Sequence, residues 1–583
     1  MARTVPDLLF ACVDRDPDQL AVFWPEGGVF LGMTRMDSAR EVARLARGLA
    51  DLGVGKGTVV AIVAETRKEW AHCDLALLCL GAITIGIYPT LLREQVAYQL
   101  AHSEARIALV EDAEQAAKVA AIRDQVPALQ HVVTMEPVEG HPSLVDVACD
   151  VDLDWLRARA AQVGPDDVAT YIYTSGTTGP PKAAILTHGN FVAVSEATLE
   201  IANIGPADRA LVWLPLAHAL QRFTVYRGLL EDGVGYFAES IEKLPEALVG
   251  SRPTVLATVP RMMEKVRDRA LSAVQARGPL AKRIFEWAFA VGHAHLACRE
   301  ERRPVPLGLR LQWRVADRLV FRHIKARMGG ALRLLICGGA ALNPDVARWF
   351  AAMGITVLEG WGLTETCAPA TLNRETDFRF GTVGKPIPGV SIRIAEDGEV
   401  LVKSPGTFQG YFKDPEATAA VFSDGWFHTG DIGFVDEDGF LVITDRKKEI
   451  LVTSGGKNIG PVNIEQRLER SPYVGQAVAI GSERPYLVAL LVPDAEALEA
   501  LARRAGLPDE PLGARLQRTE VEALFQDAVR EANRELAQFE TVKCFAVLPT
   551  AFSVETGELT PTLKLKRRVV SEKYAAEIEA LYA

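Results

Sequence analysis

The sequence predicts an α/β protein with a large N-terminal domain and a small α+β C-terminal domain. Up to about residue 445, short β-rich apolar runs alternate with segments of helical periodicity, and a smaller unit follows. This alternation is typical of layered α/β subdomains with mostly parallel sheets. At 583 residues, the chain is also too long for a single hydrophobic core.

Eight apolar runs of the large domain are predicted strands. Four of them end immediately before a glycine-rich or polar loop, at Tyr173, Leu214, Cys337 and Leu358. Ligands of parallel α/β sheets bind beyond the carboxyl ends of the strands, so these loops predict one shared site. The predicted strands are Thr58–Ala64, Arg106–Val110, His131–Met135, Val168–Tyr173, Ala210–Leu214, Thr254–Val259, Leu332–Cys337 and Ile355–Leu358.

The pattern changes toward the C-terminus. Acidic-glycine turns at 396–398, 423–425 and 436–439 predict hairpins in a small β-rich subdomain. We place the domains at 1–444 and 445–583, because the segment TDRKK at 444–448 joins two apolar runs. The predicted elements of the second domain are the strands Glu449–Thr453, Gln476–Ile480, Leu487–Val492 and Cys544–Leu548 and the helix Glu520–Glu535.

Composition and charge exclude several classes of function. A net charge of −11 argues against broad affinity for nucleic acid. The eight cysteines form no C-x-x-C pair, which favours reduced thiols. The N-terminus does not resemble a signal peptide, and the longest apolar stretch, Leu75–Tyr88, is too short for a transmembrane segment. We therefore predict a cytoplasmic protein.

Residues 279–328 are predicted to be helical and are rich in arginine and aromatic residues. The simplest interpretation is an amphipathic pair of scaffold helices. Contact of the arginine-rich faces with lipid headgroups or with a partner is the alternative. The sequence leaves open both peripheral contact with the inner membrane face and a homodimer.

The stretch YTSGTTGPPK at 173–182 follows a predicted strand. Hydroxyl groups, glycines and the ammonium of Lys182 can together cradle a polyphosphate. It is not a Walker A loop, because Pro181 precedes the lysine and Ala183 follows it. The alternative interpretation is a flexible surface turn.

Four further stretches carry candidate site residues. In EGWGLTET at 359–366, Trp361 can stack on a flat base, and Thr364 and Glu365 offer oxygen ligands to Mg²⁺. His218 in LPLAH and the turn CGGAAL at 337–342 each follow a predicted strand. Asp431 in HTGD can accept two vicinal hydroxyls, as from a ribose. Alone, His218 fits a buried core histidine, and Asp431 fits a solvated turn equally well.

Taken in order, the stretches YTSGTTGPPK, LPLAH, GGAAL, EGWGLTET, HTGD, DRKKEILVTSGGKN and LTPTLKLKRR resemble the adenylate-forming superfamily. That superfamily contains acyl-CoA synthetases, peptide-synthetase adenylation domains and luciferases. The likeness extends over nearly the whole chain. GGKNIGP at 455–461 and GELTPTLKLKRRVV at 557–570 are most similar to long-chain fatty-acyl-CoA synthetases.

The resemblance implies an ATP- and Mg²⁺-dependent ligation of a long-chain fatty acid to coenzyme A through an acyl-adenylate. Mg²⁺ would be held by Thr174 and Glu365. Lys564 would bridge the carboxylate and the α-phosphate during adenylation. The residues implied to contact the β- and γ-phosphates are Thr174, Ser175, Gly176, Thr177, Thr178, Gly179 and Lys182.

Other implied roles concern the nucleoside and the acyl group. Asp431, assisted by Arg446, would bind the ribose, and His218 would lie beside the acyl carboxylate. Trp361 would flank adenine, and Gly338, Gly339, Ala340 and Ala341 would line its edge. Four neighbouring residues are also implied to bind the nucleotide: Glu359, Gly360, Gly362 and Thr364.

For thioester formation, the resemblance implies that the small domain rotates about Asp445. Lys564 would then leave the site, and Gly455 and Gly456 would let the pantetheine arm of coenzyme A pass along the backbone. The alternatives are a ligase that loads a carrier protein, a medium-chain or aryl acyl-CoA ligase, and a non-catalytic homologue. Gln221, where long-chain relatives often carry Glu, puts the inferred chain length in doubt.

Overall fold

The computed structural model describes residues 3–174, 180–454, 457–508, 510–553, 556–560 and 565–583. Contacts between Cα atoms divide the chain into two compact units. Unit 1 comprises Met1–Arg393, Leu401–Thr429 and Val435–Val442, and unit 2 comprises Ile394–Val400, Gly430–Phe434 and Ile443–Ala583.

The first 394 residues contain strands β1–β16 and helices α1–α15. The strands are β1 (Leu20–Glu26), β2 (Val29–Thr34), β3 (Val59–Val63), β4 (Ile83–Ile87), β5 (Ile107–Val110), β6 (His131–Thr134), β7 (Val168–Thr174), β8 (Lys182–Thr187), β9 (Arg209–Val212), β10 (Val234–Phe237), β11 (Val255–Thr258), β12 (Leu334–Cys337), β13 (Thr356–Trp361), β14 (Thr371–Leu372), β15 (Lys385–Pro386) and β16 (Ser391–Ile394). The helices are α1 (Val5–Arg15), α2 (Arg35–Asp51), α3 (Lys68–Cys79), α4 (Arg93–Ser103), α5 (Ala113–Ala120), α6 (Leu144–Val147), α7 (Leu153–Ala160), α8 (His188–Leu199), α9 (Ala219–Leu230), α10 (Leu244–Ser251), α11 (Pro260–Ala276), α12 (Pro279–Glu300), α13 (Leu307–Ala316), α14 (Arg322–Ala326) and α15 (Pro344–Ala352).

Unit 1 is built on two mainly parallel sheets. The six-stranded sheet has the order β6-β5-β3-β4-β7-β8, and only the pair β7–β8 is antiparallel. The nine-stranded sheet has the order β15-β14-β13-β12-β11-β9-β10-β1-β2, with a parallel centre from β13 to β1. The predicted α/β class is therefore confirmed.

The predicted strands of the large domain are present with small shifts at their ends. β9 ends at Val212, two residues before the predicted Leu214. β13 continues past Leu358 to Trp361, because Gly360 and Trp361 pair with the antiparallel strand β14. Leu75–Tyr88 is buried as predicted except for Tyr88, which is partly buried, and it combines the second half of α3 with β4.

A five-stranded sheet follows in the sequence. Its order is β16-β17-β19-β18, and β20 pairs with β19. The three predicted hairpin turns at 396–398, 423–425 and 436–439 connect its strands. Its elements after β16 are β17 (Glu399–Lys403), α16 (Pro415–Ala420), β18 (Phe422–Ser423), β19 (Trp426–Val435) and β20 (Leu441–Arg446).

The last part of the chain contains a two-stranded sheet and a three-stranded sheet. In the latter, β24 pairs antiparallel with β23 and parallel with β25. One face packs on α17 and α20, and the other on the C-terminal helices. The elements are β21 (Leu451–Val452), β22 (Asn458–Ile459), α17 (Pro461–Leu468), β23 (Val474–Ile480), β24 (Leu487–Pro493), α18 (Ala495–Ala505), α19 (Leu512–Arg515), α20 (Thr519–Arg534), β25 (Val542–Val547), α21 (Arg567–Lys573) and α22 (Ala575–Tyr582).

Candidate active site

The β7–β8 hairpin holds both ends of the predicted phosphate loop. Thr174 ends β7, Lys182 begins β8, and the two residues are paired across the hairpin. The Thr174 hydroxyl donates a hydrogen bond of 3.3 Å to the Lys182 carbonyl. Ser175, Gly176, Thr177, Thr178 and Gly179 lie outside the described residues. The two described ends of the loop are therefore fixed by the edge of the six-stranded sheet.

A second segment pairs with the outer edge of β8 and brings an aromatic side chain to Lys182. The amide of Phe412 donates to the Ala183 carbonyl at 2.8 Å. This pairing places the Tyr411 ring centroid 5.1 Å from Lys182 Nζ. The same ammonium lies 3.8 Å from Asp414 Oδ2, and 42% of the Lys182 side chain is exposed. Lys182 is thus held between a π face and a carboxylate, within reach of solvent.

Glu365 is buried in the short 3₁₀ turn that follows β13. The Tyr411 hydroxyl donates a hydrogen bond of 2.9 Å to Glu365 Oε1. Burial, together with the neighbouring carboxylate, raises the pKa of Tyr411 well above its usual range, so the phenol stays a donor at neutral pH. Lys182 and Glu365 therefore both contact one tyrosine, although 46 residues separate Tyr411 from Glu365. Thr174 joins this group through its bond to the Lys182 carbonyl.

The donor set of this group suits Mg²⁺. Hydroxyl and carboxylate oxygens are the ligands that this hard cation prefers. Within the described part of the chain, Glu365 Oε2 accepts no hydrogen bond, so this oxygen is available to a cation that also binds phosphate. No group of three or more His, Cys, Asp or Glu side chains suited to a metal ion occurs among the described residues. The described residues therefore do not form a metal site from such side chains alone.

The ends of β12 and β13 form a second group beside the first. Cys337 pairs with Glu359, and the Leu342 amide donates to Glu359 Oε1 at 3.1 Å. This bond closes the turn containing Gly338, Gly339, Ala340 and Ala341 against β13. Burial raises the pKa of Glu359 to about 8, so its carboxyl group is largely protonated at neutral pH. No pattern in the sequence indicates that Glu359 closes this turn.

Two of the predicted nucleotide-binding glycines, Gly360 and Gly362, lie where a larger side chain would clash. A Cβ at Gly362 would lie 1.9 Å from the Ala368 carbonyl oxygen, and one at Gly360 would lie 2.8 Å from Leu372 Cδ1. Both glycines border Trp361, which is buried at the end of β13 rather than in a loop. The strand thus leads directly from Trp361 into the turn that carries Thr364 and Glu365.

His218 lies at the N-terminus of α9, after strand β9. Its Nδ1 accepts a hydrogen bond of 3.2 Å from the Leu220 amide, so the neutral ring carries its proton on Nε2.

Gln221, three residues after His218, is buried, and its side-chain oxygen accepts hydrogen bonds from the amides of Trp213 and Leu214 at 3.3 and 3.1 Å. Its own amide donates to the Thr224 hydroxyl at 2.6 Å, a bond that a glutamate could not donate.

Asp431 and Arg446 lie in unit 2. The Asp431 side chain is buried, and its Oδ1 lies 3.1 Å from Arg446 Nε. The preceding turn is fixed by Glu399, whose Oε1 accepts from the Gly430 amide at 2.9 Å. Glu399 Oε2 in turn accepts from Lys447 Nζ at 2.9 Å. Sequence reasoning missed Glu399 and Lys447, because no motif links them to HTGD.

Asp445, the predicted hinge residue, is buried in unit 2. It lies against Gly460, where a Cβ would be only 1.5 Å from Asp445 Oδ2. Burial, with a further contribution from the Glu465 carboxylate, raises the pKa of Asp445 to about 7, and Arg567 opposes the shift. Gly455, Gly456 and Lys564 lie outside the described residues.

Comparisons with known proteins give the family of the chain. The AMP-binding enzyme family matches residues 9–412, and the C-terminal domain of AMP-binding enzymes matches residues 448–583. The long-chain-fatty-acid–CoA ligase FadD15 of Mycobacterium bovis is 40% identical over 97% of this chain and 95% of its own length. Mouse long-chain-fatty-acid–CoA ligase 6 is 32% identical over 94% of this chain and 82% of its own length.

Solved structures share the fold. The adenylation domain of a carboxylate reductase from Mycobacterium chelonae superposes with a TM-score of 0.78 at 23% identity, over 99% of this chain and 91% of that domain. At this level of identity, the likeness concerns the fold alone. Among the described residues, no helix is both long and apolar enough to cross a membrane.

Proposed function

This chain belongs to the family of AMP-binding enzymes, and we propose that it joins a long-chain fatty acid to coenzyme A. In the first step, the fatty carboxylate attacks the α-phosphate of ATP, which gives acyl-adenylate and pyrophosphate. In the second step, the coenzyme A thiol attacks the acyl carbonyl and releases AMP. The observation that carries the adenylation step is the contact of Tyr411 with both Lys182 and Glu365, with Thr174 bonded to the Lys182 carbonyl. The long-chain substrate rests on the 40% identity with a relative of that name.

The first step brings two anions together, so charge neutralisation and positioning should supply most of the rate enhancement. Lys182 would hold the leaving pyrophosphate together with the loop of Ser175 to Gly179. Mg²⁺, when bound, would neutralise phosphate charge at Thr174 and Glu365. Removing Lys182 from Asp414 costs little, because the pair is half exposed and 3.8 Å apart.

The nucleoside would be bound by groups of different character. Trp361 would present a flat face to adenine, and the turn from Gly338 to Ala341 would border the base. In unit 2, Asp431 would accept the ribose hydroxyls, with Arg446 at 3.1 Å holding the carboxylate in place. His218 would offer its Nε2 proton to the acyl carboxylate, since Nδ1 is occupied by the Leu220 amide.

The second step would use the small domain differently. Lys564 would serve adenylation only, whereas Gly455 and Gly456 would border the pantetheine arm. Rotation of the small domain about Asp445 would remove Lys564 from the site and bring Gly455 and Gly456 into it. Hinges of this kind concentrate the change of φ and ψ in a few residues.

The division of labour can be tested by measuring the two half-reactions separately. Lys564→Ala should reduce fatty-acid-dependent pyrophosphate release by several orders of magnitude. It should leave the conversion of supplied acyl-adenylate and coenzyme A into acyl-CoA nearly intact. Lys543→Ala, an exposed lysine of β25, serves as the control and should alter neither step. An equal loss in both half-reactions would contradict the role given to Lys564.

Substrate and acceptor need a second experiment with the unmodified protein. We expect kcat/KM to rise with acyl length, because each buried CH₂ contributes about 0.8 kcal/mol. A preference for short or aromatic acids would favour a medium-chain or aryl ligase. Transfer to a phosphopantetheinylated carrier but not to coenzyme A would indicate a carrier-loading ligase. No pyrophosphate release with any acid would indicate a non-catalytic homologue.

A further inference from the structure

The helix that begins at Leu307 carries a four-residue repeat. Its sequence, LGLRLQWRVADRLVFR at 307–322, has an aliphatic residue followed by arginine three positions later in four consecutive repeats. We call residues 307–322 the Leu–Arg helix. The aliphatic row is Leu307, Leu311, Val315 and Leu319, and the arginine row is Arg310, Arg314, Arg318 and Arg322.

The aliphatic row faces solvent instead of the core. The exposed fractions of Leu307, Leu311, Val315 and Leu319 are 81%, 63%, 43% and 53%. The opposite side of the helix makes the packing contacts: the Trp313 ring lies 5.4 Å from that of His295, and the Phe321 ring lies 5.2 Å from that of Phe289. Since these contacts to α12 already anchor the helix, the exposed row is not needed for the core. Contiguous exposed apolar side chains of this kind mark an interaction surface.

A change of helix geometry keeps the two rows on one side. In a regular α-helix, a four-residue spacing drifts by about 40° per repeat. Residues 317–321, in the third and fourth repeats, form a π-helical turn, which holds more residues per turn and offsets that drift. The repeat and the π turn together present one apolar row and one basic row side by side.

The arginine row is not neutralised by the protein. All four arginines are exposed, and none forms an ion pair with a carboxylate in the ranges that the structure describes. Between residues 307 and 327, there are six basic residues and one acidic residue, Asp317. Asp317 is paired with Lys325 at 2.6 Å. In a chain with a net charge of −11, this segment is therefore a local concentration of positive charge.

We propose that the Leu–Arg helix is a docking surface for an anionic phospholipid bilayer. The aliphatic row would enter the boundary between headgroups and acyl chains, and the arginines would bind lipid phosphates. An amphipathic helix with arginine beside leucine is suited to that interface. Arginine can also extend its stem along apolar surface while its head stays with phosphate.

The charge complementarity favours a lipid surface over a second copy of the chain. Two copies meeting through this helix would bring two uncompensated arginine rows together, which is costly. A bilayer rich in anionic lipid offers the opposite charge beside an apolar interior. The surface lies within unit 1 and does not include the proposed catalytic residues, so the proposal stands or falls independently of the ligase activity.

The test is co-sedimentation of the full chain with vesicles of phosphatidylcholine alone or with about one-third phosphatidylglycerol. The protein should bind the anionic vesicles, and added salt should weaken the binding. Arg314→Gln combined with Arg318→Gln should weaken it by roughly 25-fold, on the basis of about fivefold for each arginine. Leu311→Ser combined with Leu319→Ser should weaken it at unchanged charge.

The matched control is Arg530→Gln combined with Arg534→Gln. These two arginines have the same four-residue spacing on α20, are exposed, and change the net charge equally. The control should bind as the unmodified protein does, and far-ultraviolet circular dichroism should show that all variants are folded. Equal loss in the control, or equal binding to neutral vesicles, would overturn the proposal. Failure of the unmodified protein to bind any vesicle would also overturn it. If, in addition, the protein self-associates and the Leu–Arg variants are monomeric, the helix is an interface between two copies of the chain instead.

Discussion

The hydroxyl of Tyr411 donates a hydrogen bond of 2.9 Å to the carboxylate of Glu365. The ring of the same tyrosine lies 5.1 Å from the Lys182 ammonium. One side chain therefore contacts both residues that we assign to the charge of the triphosphate. Tyr411 is held there by the pairing of residues 409–412 with β8, so the backbone of unit 1 fixes the relationship.

Tyr411→Phe should weaken the use of ATP and Mg²⁺ without removing the aromatic face beside Lys182. A hydrogen bond to a charged group contributes about 1.5–3 kcal/mol, which corresponds to a loss of about ten- to a hundredfold in kcat/KM for ATP. The half-saturating Mg²⁺ concentration should rise as well, because Glu365 loses the group that orients it. Pyrophosphate release at varied ATP and Mg²⁺ measures both effects.

The control for this substitution is Tyr486→Phe, which removes a hydroxyl that donates to the Leu581 carbonyl in unit 2. It should leave both constants unchanged. If Tyr411→Phe behaves in the same way, Glu365 is oriented by other groups, and the assignment of Tyr411 as a positioning residue is wrong.

Gly362→Ala should disrupt the segment between Trp361 and Glu365. The added Cβ would lie 1.9 Å from the Ala368 carbonyl oxygen and 3.0 Å from the Ala370 amide nitrogen, and both are backbone atoms that cannot rotate away. Crowding of this kind costs about 1–3 kcal/mol, and the displaced turn should raise KM for ATP. Thermal unfolding and pyrophosphate release report the two consequences.

Gly308→Ala provides the comparison for the same chemical change. Gly308 is in α13, and a Cβ there would meet no atom within 4 Å. Alanine is favoured over glycine in a helix by about 1 kcal/mol, so this variant should be as stable as the parent or more so. A stable and active Gly362→Ala variant would show that the turn can relax.

The sequence predicted much of the fold, because buried strands of parallel sheets are continuous apolar runs. β3, β7 and β12 were recognisable in this way. β8 was missed, since it begins with Lys182 after two prolines and pairs at the sheet edge. β4 was not separated from α3, because a buried helix and a buried strand look alike when every position is apolar.

For the site, the sequence identified segments but not the contacts between them. The motifs placed Lys182 and Glu365 in the right order, yet nothing in their spacing indicates Tyr411. The bond between Glu399 and the Gly430 amide likewise joins residues 31 positions apart. Contacts of this kind arise from strand pairing and from the crossing of loops, which local patterns do not encode. The roles given to Ser175–Gly179, Gly455, Gly456 and Lys564 remain predictions.

Asp74→Asn should destabilise unit 1 strongly. Asp74 and Arg222 form a fully buried ion pair, and Arg222 also donates to the Thr170 hydroxyl at 2.6 Å. The pair joins α3, α9 and β7 in the core. Neutralising the aspartate leaves a buried guanidinium without a counter-charge, which costs about 3–5 kcal/mol. Urea unfolding followed by tryptophan fluorescence measures the loss.

An exposed ion pair gives the reference for that measurement. Asp51→Asn removes the partner of Arg47 at the end of α2, where both side chains are more than one-third exposed. Such pairs contribute at most about 1 kcal/mol. If Asp51→Asn and Asp74→Asn reduce the free energy of unfolding by similar amounts, then leaving Arg222 without a counter-charge in the core does not carry the cost expected from its burial.

Asp445→Asn should remove a pH dependence from the stability of unit 2. The folded protein holds the Asp445 proton up to a pKa of about 7, whereas an unperturbed aspartate loses it near 3.8. Between these values, the folded state binds more protons than the unfolded state, so stability falls as pH rises from about 4 to 7. The asparagine variant has no proton to lose. Its gain in stability over the parent should therefore be absent near pH 4 and reach its full size, on the order of 4 kcal/mol, above pH 7.

Thermal unfolding between pH 4 and 8 measures this difference, with the exposed Asp527→Asn as a control whose profile should follow the parent. An advantage of Asp445→Asn that is constant across this range would show that Asp445 is ionised throughout, and that Arg567 outweighs its burial beside Gly460.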